Sequence, residues 1–173
     1  MANSALDEIL EFHWMMDMLQ TVDVGIVVLD RDYKIKVWNG FMEAHSGHLP
    51  SDVRDKSLFE LYPDIAEPWL RQKTKAVFEL RTRAFITWEQ RPYLFKFRNY
   101  RPITGTEPFM YQNIAFSALV SATGAVDNIC MMIYDMSDAA AAKKQLLALQ
   151  VQQSEHAESA KNAERASKAA KVK

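Results

Sequence analysis

Four histidines are the side chains of this sequence best suited to binding a metal ion. His45 and His48 lie three residues apart in the stretch HSGH, an interval resembling that between two metal ligands. His13 and His156 are distant from this pair in the sequence. Because protein metal sites need three or four ligands, and no cysteine lies near the pair, the sequence predicts no metal site.

Nucleophilic catalysis has equally little support. Cys130 lies within the apolar run 127–134, where we expect a small core residue. The sequence has no G-x-S-x-G, no phosphate-binding glycine loop and no H-E-x-x-H. Its five glycines are too few to favour a glycine-rich nucleotide-binding loop. We therefore expect that the chain is not an enzyme.

The charge of the chain indicates no polyanionic partner. The formal net charge is −1, but residues 1–138 carry 14 basic and 19 acidic side chains, whereas residues 139–173 carry 7 basic and 3 acidic ones. The basic tail lacks the interleaved aromatic side chains that single-stranded nucleic acids stack upon. No nucleic-acid partner is expected.

The sequence also predicts a cytoplasmic protein with no membrane partner. No run approaches the ~20 apolar residues that cross a membrane. The first twelve residues, MANSALDEILEF, carry acid where a signal peptide needs base. One cysteine cannot form a disulfide within the chain, which suits a reducing compartment.

The elements that position these residues follow from the spacing of apolar side chains. Residues 5–20 predict a helix that is apolar on nearly all sides, and short helical pieces fill residues 40–82, with a longer helix at 67–82. Strands are predicted at 24–30, 33–39, 84–90, 93–97, 113–120 and 127–134. Short links between neighbouring strands imply an antiparallel sheet, which places the chain in the α+β class.

Several short motifs, in their order and spacing, resemble a PAS domain over residues 22–138. They are Gly25 in the first strand, Asp30 at its end, VWN at 37–39, DKSLFELYPD at 55–64 and YDMSD at 134–138. The resemblance implies a five-stranded antiparallel sheet with helices on one face. Flanking helices at residues 1–21 and 139–173 complete the expected organisation.

A narrower resemblance comes from the region between the third and fourth strands. The stretch WEQRPYLFKFRNYRPITG at 88–105 is similar to a sensory PAS subtype often found ahead of diguanylate cyclase or other bacterial output modules. Two family glycines are absent: Asp32 lies near the first, and Asp55 and Lys56 occupy the place of the second.

The resemblance raises the question of a cofactor. PAS domains that bind flavin or a chromophore covalently use a cysteine, and residues 40–82 contain none. Some PAS domains hold haem through a helix histidine, but we do not expect haem here. A haem-binding gas sensor is an alternative to the function predicted below.

If the sheet curls against the small helices, apolar side chains surround a ligand pocket. The candidate lining residues are Phe59, Leu61, Trp69, Val77, Phe85, Trp88, Phe116 and Met132. The alternative is that they fill the core, since aromatic residues and methionine serve both purposes.

The last strand meets the terminal helix without a loop. Asp135, Ser137 and Asp138 are all good N-cap residues, and carboxylates suit the positive end of a helix. Such a stiff junction predicts a signal joint, at which a shift in the strand tilts the helix. Leu146, Leu149 and Val151 offer a short coiled-coil seam, and beyond residue 155 an alanine every third residue drifts off one helix face. There we expect the helix to fray.

The N-terminal helix predicts a homodimer, because a helix apolar on nearly all sides must bury two of them. Leu6, Ile9, Met16 and Leu19 are the predicted contacts with a second copy. We therefore expect a PAS sensory and dimerisation module that relays ligand or conformational signals through its C-terminal helix to an output domain or partner protein. The alternative is a constitutive protein-interaction module with a filled core and no ligand.

Overall fold

The computed structural model describes residues 2–99 and 108–170. In chain order its elements are α1 (Ala2–Thr21), β1 (Gly25–Asp30), β2 (Ile35–Trp38), α2 (Gly40–Ser46), α3 (Pro50–Val53), α4 (Leu58–Leu61), α5 (Glu67–Leu80), β3 (Ala84–Ile86), β4 (Gln112–Val120), β5 (Val126–Asp135) and α6 (Ser137–Ala170).

The five strands form one antiparallel sheet in the order β2-β1-β5-β4-β3. The last strand, β5, lies at the centre and pairs with β1 over six residues, from Gly25 opposite Ile133 to Asp30 opposite Asn128. It pairs with β4 on its other side. The predicted α+β class and five-stranded antiparallel sheet are confirmed. Any movement of β5 is therefore shared directly with its neighbours on both sides.

One face of the sheet carries the core. Val27, Leu29, Phe116, Met131 and Ile133 all have exposed fractions of 0% and share this face with other buried strand residues. The helices cover it with buried side chains, among them Met42, Leu58, Leu70 and Val77. Burial of each large apolar side chain stabilises the fold by about 1.5–3 kcal/mol relative to exposure.

The predicted strand at 93–97 is wrong. The alternation of Tyr93, Phe95 and Phe97 suggests a strand, but Leu94 is buried as well as Phe95, which breaks the two-residue period. The side chain of Gln112 bonds this backbone instead: its Oε1 accepts hydrogen bonds from the N–H groups of Leu94 (2.9 Å) and Phe95 (3.0 Å), and its Nε2 donates to the Phe95 carbonyl (2.8 Å). One buried amide thus holds a segment of the β3–β4 loop against the end of β4.

The buried side chain of Asn39 joins three elements. Its Nδ2 donates to the carbonyls of Leu19 (3.0 Å) and Val24 (2.8 Å), and its Oδ1 accepts from the N–H of Ile26 (2.9 Å). The same oxygen accepts from Met42 N at 3.4 Å and caps α2. Asn39 therefore fixes the end of α1 and the start of α2 on the first strand.

Candidate functional site

The junction between β5 and α6 contains a single residue, Met136. Its N–H donates to the Tyr111 carbonyl at 2.8 Å, and Tyr111 N–H in turn donates to the Ser137 hydroxyl at 3.1 Å. The backbone hydrogen bonds between β4 and β5 thus continue to Met136, and the Ser137 side chain adds one bond from the first residue of the helix. Asp135 Oδ1 accepts from Ser137 N at 2.8 Å, and Asp138 lies in the first turn of the helix. The three predicted joint residues are therefore adjacent to one another at a loopless junction.

Two lysines hold the next turns of α6 against the β3–β4 loop. Lys143 Nζ lies 3.2 Å from Glu89 Oε1 and 5.1 Å from the centre of the Trp88 ring. Lys144 Nζ donates to the Tyr111 hydroxyl at 2.7 Å and lies 4.9 Å from the centre of that ring. We call these five residues the loop–helix clamp.

Two hydrogen bonds favour the charged form of the carboxyl group in the clamp. A hydrogen bond from the backbone of Glu89 and one from Lys143 lower the pKa of Glu89. Ala140, one turn earlier in α6, is fully buried. Packing, backbone hydrogen bonds and charge therefore all restrain the first two turns of the helix, which a cap alone would not do.

The structure disperses the eight residues predicted to line a pocket. Val77 and Phe116 are fully buried in the core. Phe59, Leu61 and Trp69 are partly buried and pack at its margin. The predicted pocket is thus filled in its centre by side chains.

The prediction is wrong for Phe85 and Met132. Both are opposite Ala115 in the ladder, on the face of the sheet turned away from the helices, and Phe85 is 52% exposed. Adjacent residues in a strand point to opposite faces, so Ile86 and Met131 take the core positions instead. Trp88 packs on Tyr111, with 5.5 Å between ring centres, and belongs to the clamp.

A cluster of aromatic rings fills the space between β2, α4 and the β3–β4 loop. Phe95 lies 6.1 Å from Trp38, 4.9 Å from Tyr62 and 5.3 Å from Phe97, measured between ring centres. Burial raises the pKa of Tyr62 to about 12. Such packing ties the loop to the sheet through rings that have few alternative arrangements.

The histidines occupy separate environments. His45 lies against Phe41 at 4.3 Å and Phe97 at 5.8 Å between ring centres, and burial lowers its pKa. His13 Nε2 lies 3.6 Å from Asp17 Oδ2 on the exposed face of α1. Within the described ranges, no three histidine, cysteine or acidic side chains come together as a group that could hold a metal ion.

The comparison with protein families decides the identity of this fold. The sequence model described as the PAS fold matches residues 15–103, which is more than half of the chain. The chain belongs to the PAS family. The PAS domain is matched from the second half of α1 to the β3–β4 loop, and β4 and β5 complete its sheet.

Several solved structures share the fold. A sensory box sensor histidine kinase from Vibrio cholerae superposes with a TM-score of 0.52 and 23% identity, covering 78% of this chain and 96% of that one. An RNA-binding light-oxygen-voltage receptor superposes with a TM-score of 0.54 and 16% identity, covering 83% of this chain and 38% of that one. The histidine kinase ThkA, in complex with the response regulator TrrA, superposes with a TM-score of 0.57 and 23% identity, covering 83% of this chain and 39% of that one. No curated protein sequence matches this chain.

The predicted dimer contacts on α1 differ in exposure. Ile9 is 64% exposed, whereas Met16 and Leu19 are partly buried nearer the PAS domain. Leu6 lies outside the residues whose side chains are described. No helix in the described part of the chain is both long and apolar enough to cross a membrane.

The clamp was not predicted from the sequence. Its sign in the sequence is the pair Lys143-Lys144, which directly follows the alanine run at 139–142. Nothing in the sequence indicates that the partners of these lysines are Glu89 and Tyr111, because the lysines are 54 and 33 residues away from them.

Proposed function

We propose that this PAS domain is a sensory and dimerisation module that passes conformational change to α6, and through α6 to an output domain or partner protein. The loop–helix clamp is the observation that carries the proposal. It restrains α6 by the β3–β4 loop while the backbone ladder restrains it by the sheet. A change in either is therefore converted into reorientation of the helix.

The division of the chain fits this role. We assign dimerisation to residues 1–21, sensing to residues 22–138 and signalling to residues 139–173. Past the clamp, α6 carries exposed apolar side chains: Leu146, Leu147, Leu149 and Val151 are each more than 50% exposed. We infer that this seam starts a coiled coil leading to the output, for which a diguanylate cyclase or a histidine kinase is a candidate. The module acts by binding, without catalysis of its own.

The exposed apolar surface of α1 supports a dimer through side chains other than the four predicted contacts. Leu10, Trp14 and Met18 follow one another at four-residue spacing and are 55%, 55% and 52% exposed. That spacing makes a continuous stripe along one side of a helix. A contiguous apolar surface of this kind marks an interaction site, and a second copy of α1 offers a stripe of the same chemistry.

Replacing both Leu10 and Trp14 with glutamate is expected to convert a dimer into a monomer, because it places four carboxylates at a two-fold contact. Light scattering coupled to size exclusion measures the molar mass. The matched control, Gln72→Glu with Gln90→Glu, adds the same charge to exposed positions elsewhere and leaves the dimer intact. A wild-type monomer, or an unchanged dimer in the α1 variant, would contradict the dimer.

The filled core supports a second candidate, a constitutive interaction module that binds no ligand. Trp38, Phe95, Phe116 and Met131 are among the largest side chains with almost no exposure, and they occupy the centre of the domain. Mass spectrometry of small molecules released from the denatured protein separates the two candidates. A stoichiometric compound favours the sensor, and none favours the constitutive module.

A further inference from the structure

A cleft of about 490 Å³ lies between the end of α4 and the β3–β4 loop, apart from the filled core. Its volume falls within the range of small-molecule sites, about 300–1,000 Å³. Its lining residues are Leu61, Tyr62, Pro63, Asp64, Arg91, Tyr93, Leu94 and Lys96. Two of them are cations and one is an acid, so the cleft carries one positive charge in excess.

Arg91 is held in place before any ligand arrives. Its guanidinium carbon lies 4.7 Å from the centre of the Trp69 ring, and its Nε donates to the Tyr93 carbonyl at 3.3 Å. Within the described ranges its two terminal nitrogens make no hydrogen bond. Two parallel N–H groups are the arrangement that binds a carboxylate in a bidentate manner.

Lys96 is the second cation, and its present partner is weakly held. Lys96 Nζ lies 3.5 Å from Asp64 Oδ2, and the two side chains are 57% and 77% exposed. Exposed ion pairs of this kind contribute little, about 0–1 kcal/mol. Lys96 can therefore turn towards an incoming anion at small cost.

We propose that this cleft binds a small carboxylate that carries an apolar group. Arg91 and Lys96 bind the carboxylate, and the apolar parts of Leu61, Tyr93 and Leu94 contact the apolar group. This inference rests on the proposed sensory function and supplies the chemical class of its ligand.

The same loop connects the cleft to α6. Glu89, which pairs with Lys143 in the clamp, lies two residues before Arg91. At the other side of the cleft, Leu94 is bonded to Gln112 at the start of β4. A ligand that draws Arg91 and Lys96 together therefore moves the loop that holds both the helix and the sheet.

Titration with two probes of nearly the same shape, one an anion and one neutral, tests the site. Phenylacetate and its neutral amide, phenylacetamide, are added to the whole chain, and binding is followed by calorimetry and by NMR of the Arg91 side chain. The acid is expected to bind, and the amide to bind at least about tenfold more weakly, because it loses the charge-assisted hydrogen bonds.

Arg91→Gln is expected to weaken the binding of phenylacetate about ten- to hundredfold. The matched control is Arg83→Gln: Arg83 also stacks on an aromatic ring, 5.3 Å from the centre of Phe85, but on the other face of the sheet. It should leave affinity unchanged.

Equal affinity for the acid and the amide, or no binding of either, would overturn the site. An equal loss of affinity for phenylacetate in Arg91→Gln and Arg83→Gln would overturn it as well. None of these results bears on the α1 dimer or on the clamp, so failure of the site is distinguishable from failure of the proposed function.

Discussion

Replacing Asn39 with alanine is expected to lower the free energy of unfolding by about 3 kcal/mol. The variant loses the cap of α2 and leaves the carbonyls of Leu19 and Val24 and the N–H of Ile26 without their side-chain partner. A lost cap costs about 1 kcal/mol, and each buried polar group left unsatisfied costs about 1–3 kcal/mol, partly recovered where water enters. Thermal and urea unfolding followed by circular dichroism measure the change, with a fall in Tm of about 10 °C.

The control for this variant is Asn162→Ala, an exposed position on α6. Alanine favours helix more than asparagine does, so this change should leave Tm unaltered or slightly higher. If Asn39→Ala unfolds within about 2 °C of wild type, Asn39 does not hold α1, β1 and α2 together as described here.

Removing the clamp with Lys143→Ala and Lys144→Ala is expected to speed amide hydrogen exchange at residues 137–150 about tenfold. Alanine keeps the helix propensity high, so the change removes the contacts with Glu89, Trp88 and Tyr111 and not the helix itself. An exposed ion pair, a hydrogen bond and two cation–π contacts together contribute on the order of 1–2 kcal/mol, and local opening reports that difference directly. Mass spectrometry of the exchanged peptides is the measurement.

Lys161→Ala supplies the matched control, because Lys161 is an exposed lysine farther along the same helix. Its exchange at residues 137–150 should equal that of wild type. Equal protection in the double variant and in Lys161→Ala would show that the lysines do not restrain the helix.

The sheet could be predicted from the sequence because its strands alternate and its links are short. The same alternation does not say which face is the core when both are apolar. Phe85 and Met132 were assigned to the wrong face for this reason, since Ile86 and Met131 beside them are equally apolar. A shift of one residue in register exchanges the two faces of a strand. Which of the two faces is buried is determined by the helices that pack on the sheet.

Other features depend on contacts between residues distant in the sequence. The alternation at 93–97 suggests a strand, yet that segment is bonded by the side chain of Gln112, 17 residues from Phe95. The hydrogen bond from Ser137 N to Asp135 Oδ1 spans only two residues, so the sequence could indicate it. The clamp was not predictable, because its ionic contact spans 54 residues.

We infer that α6 moves as one body with the sheet and the β3–β4 loop. Pulsed electron paramagnetic resonance tests it directly, with spin labels on Glu79→Cys in α5 and Gln152→Cys in α6, in a Cys130→Ser background diluted with unlabelled chain. We predict one narrow distance distribution that broadens when Lys143 and Lys144 are replaced by alanine. A broad distribution in the intact chain, the same as that of the clamp variant, would show that α6 moves independently of the sheet and the loop.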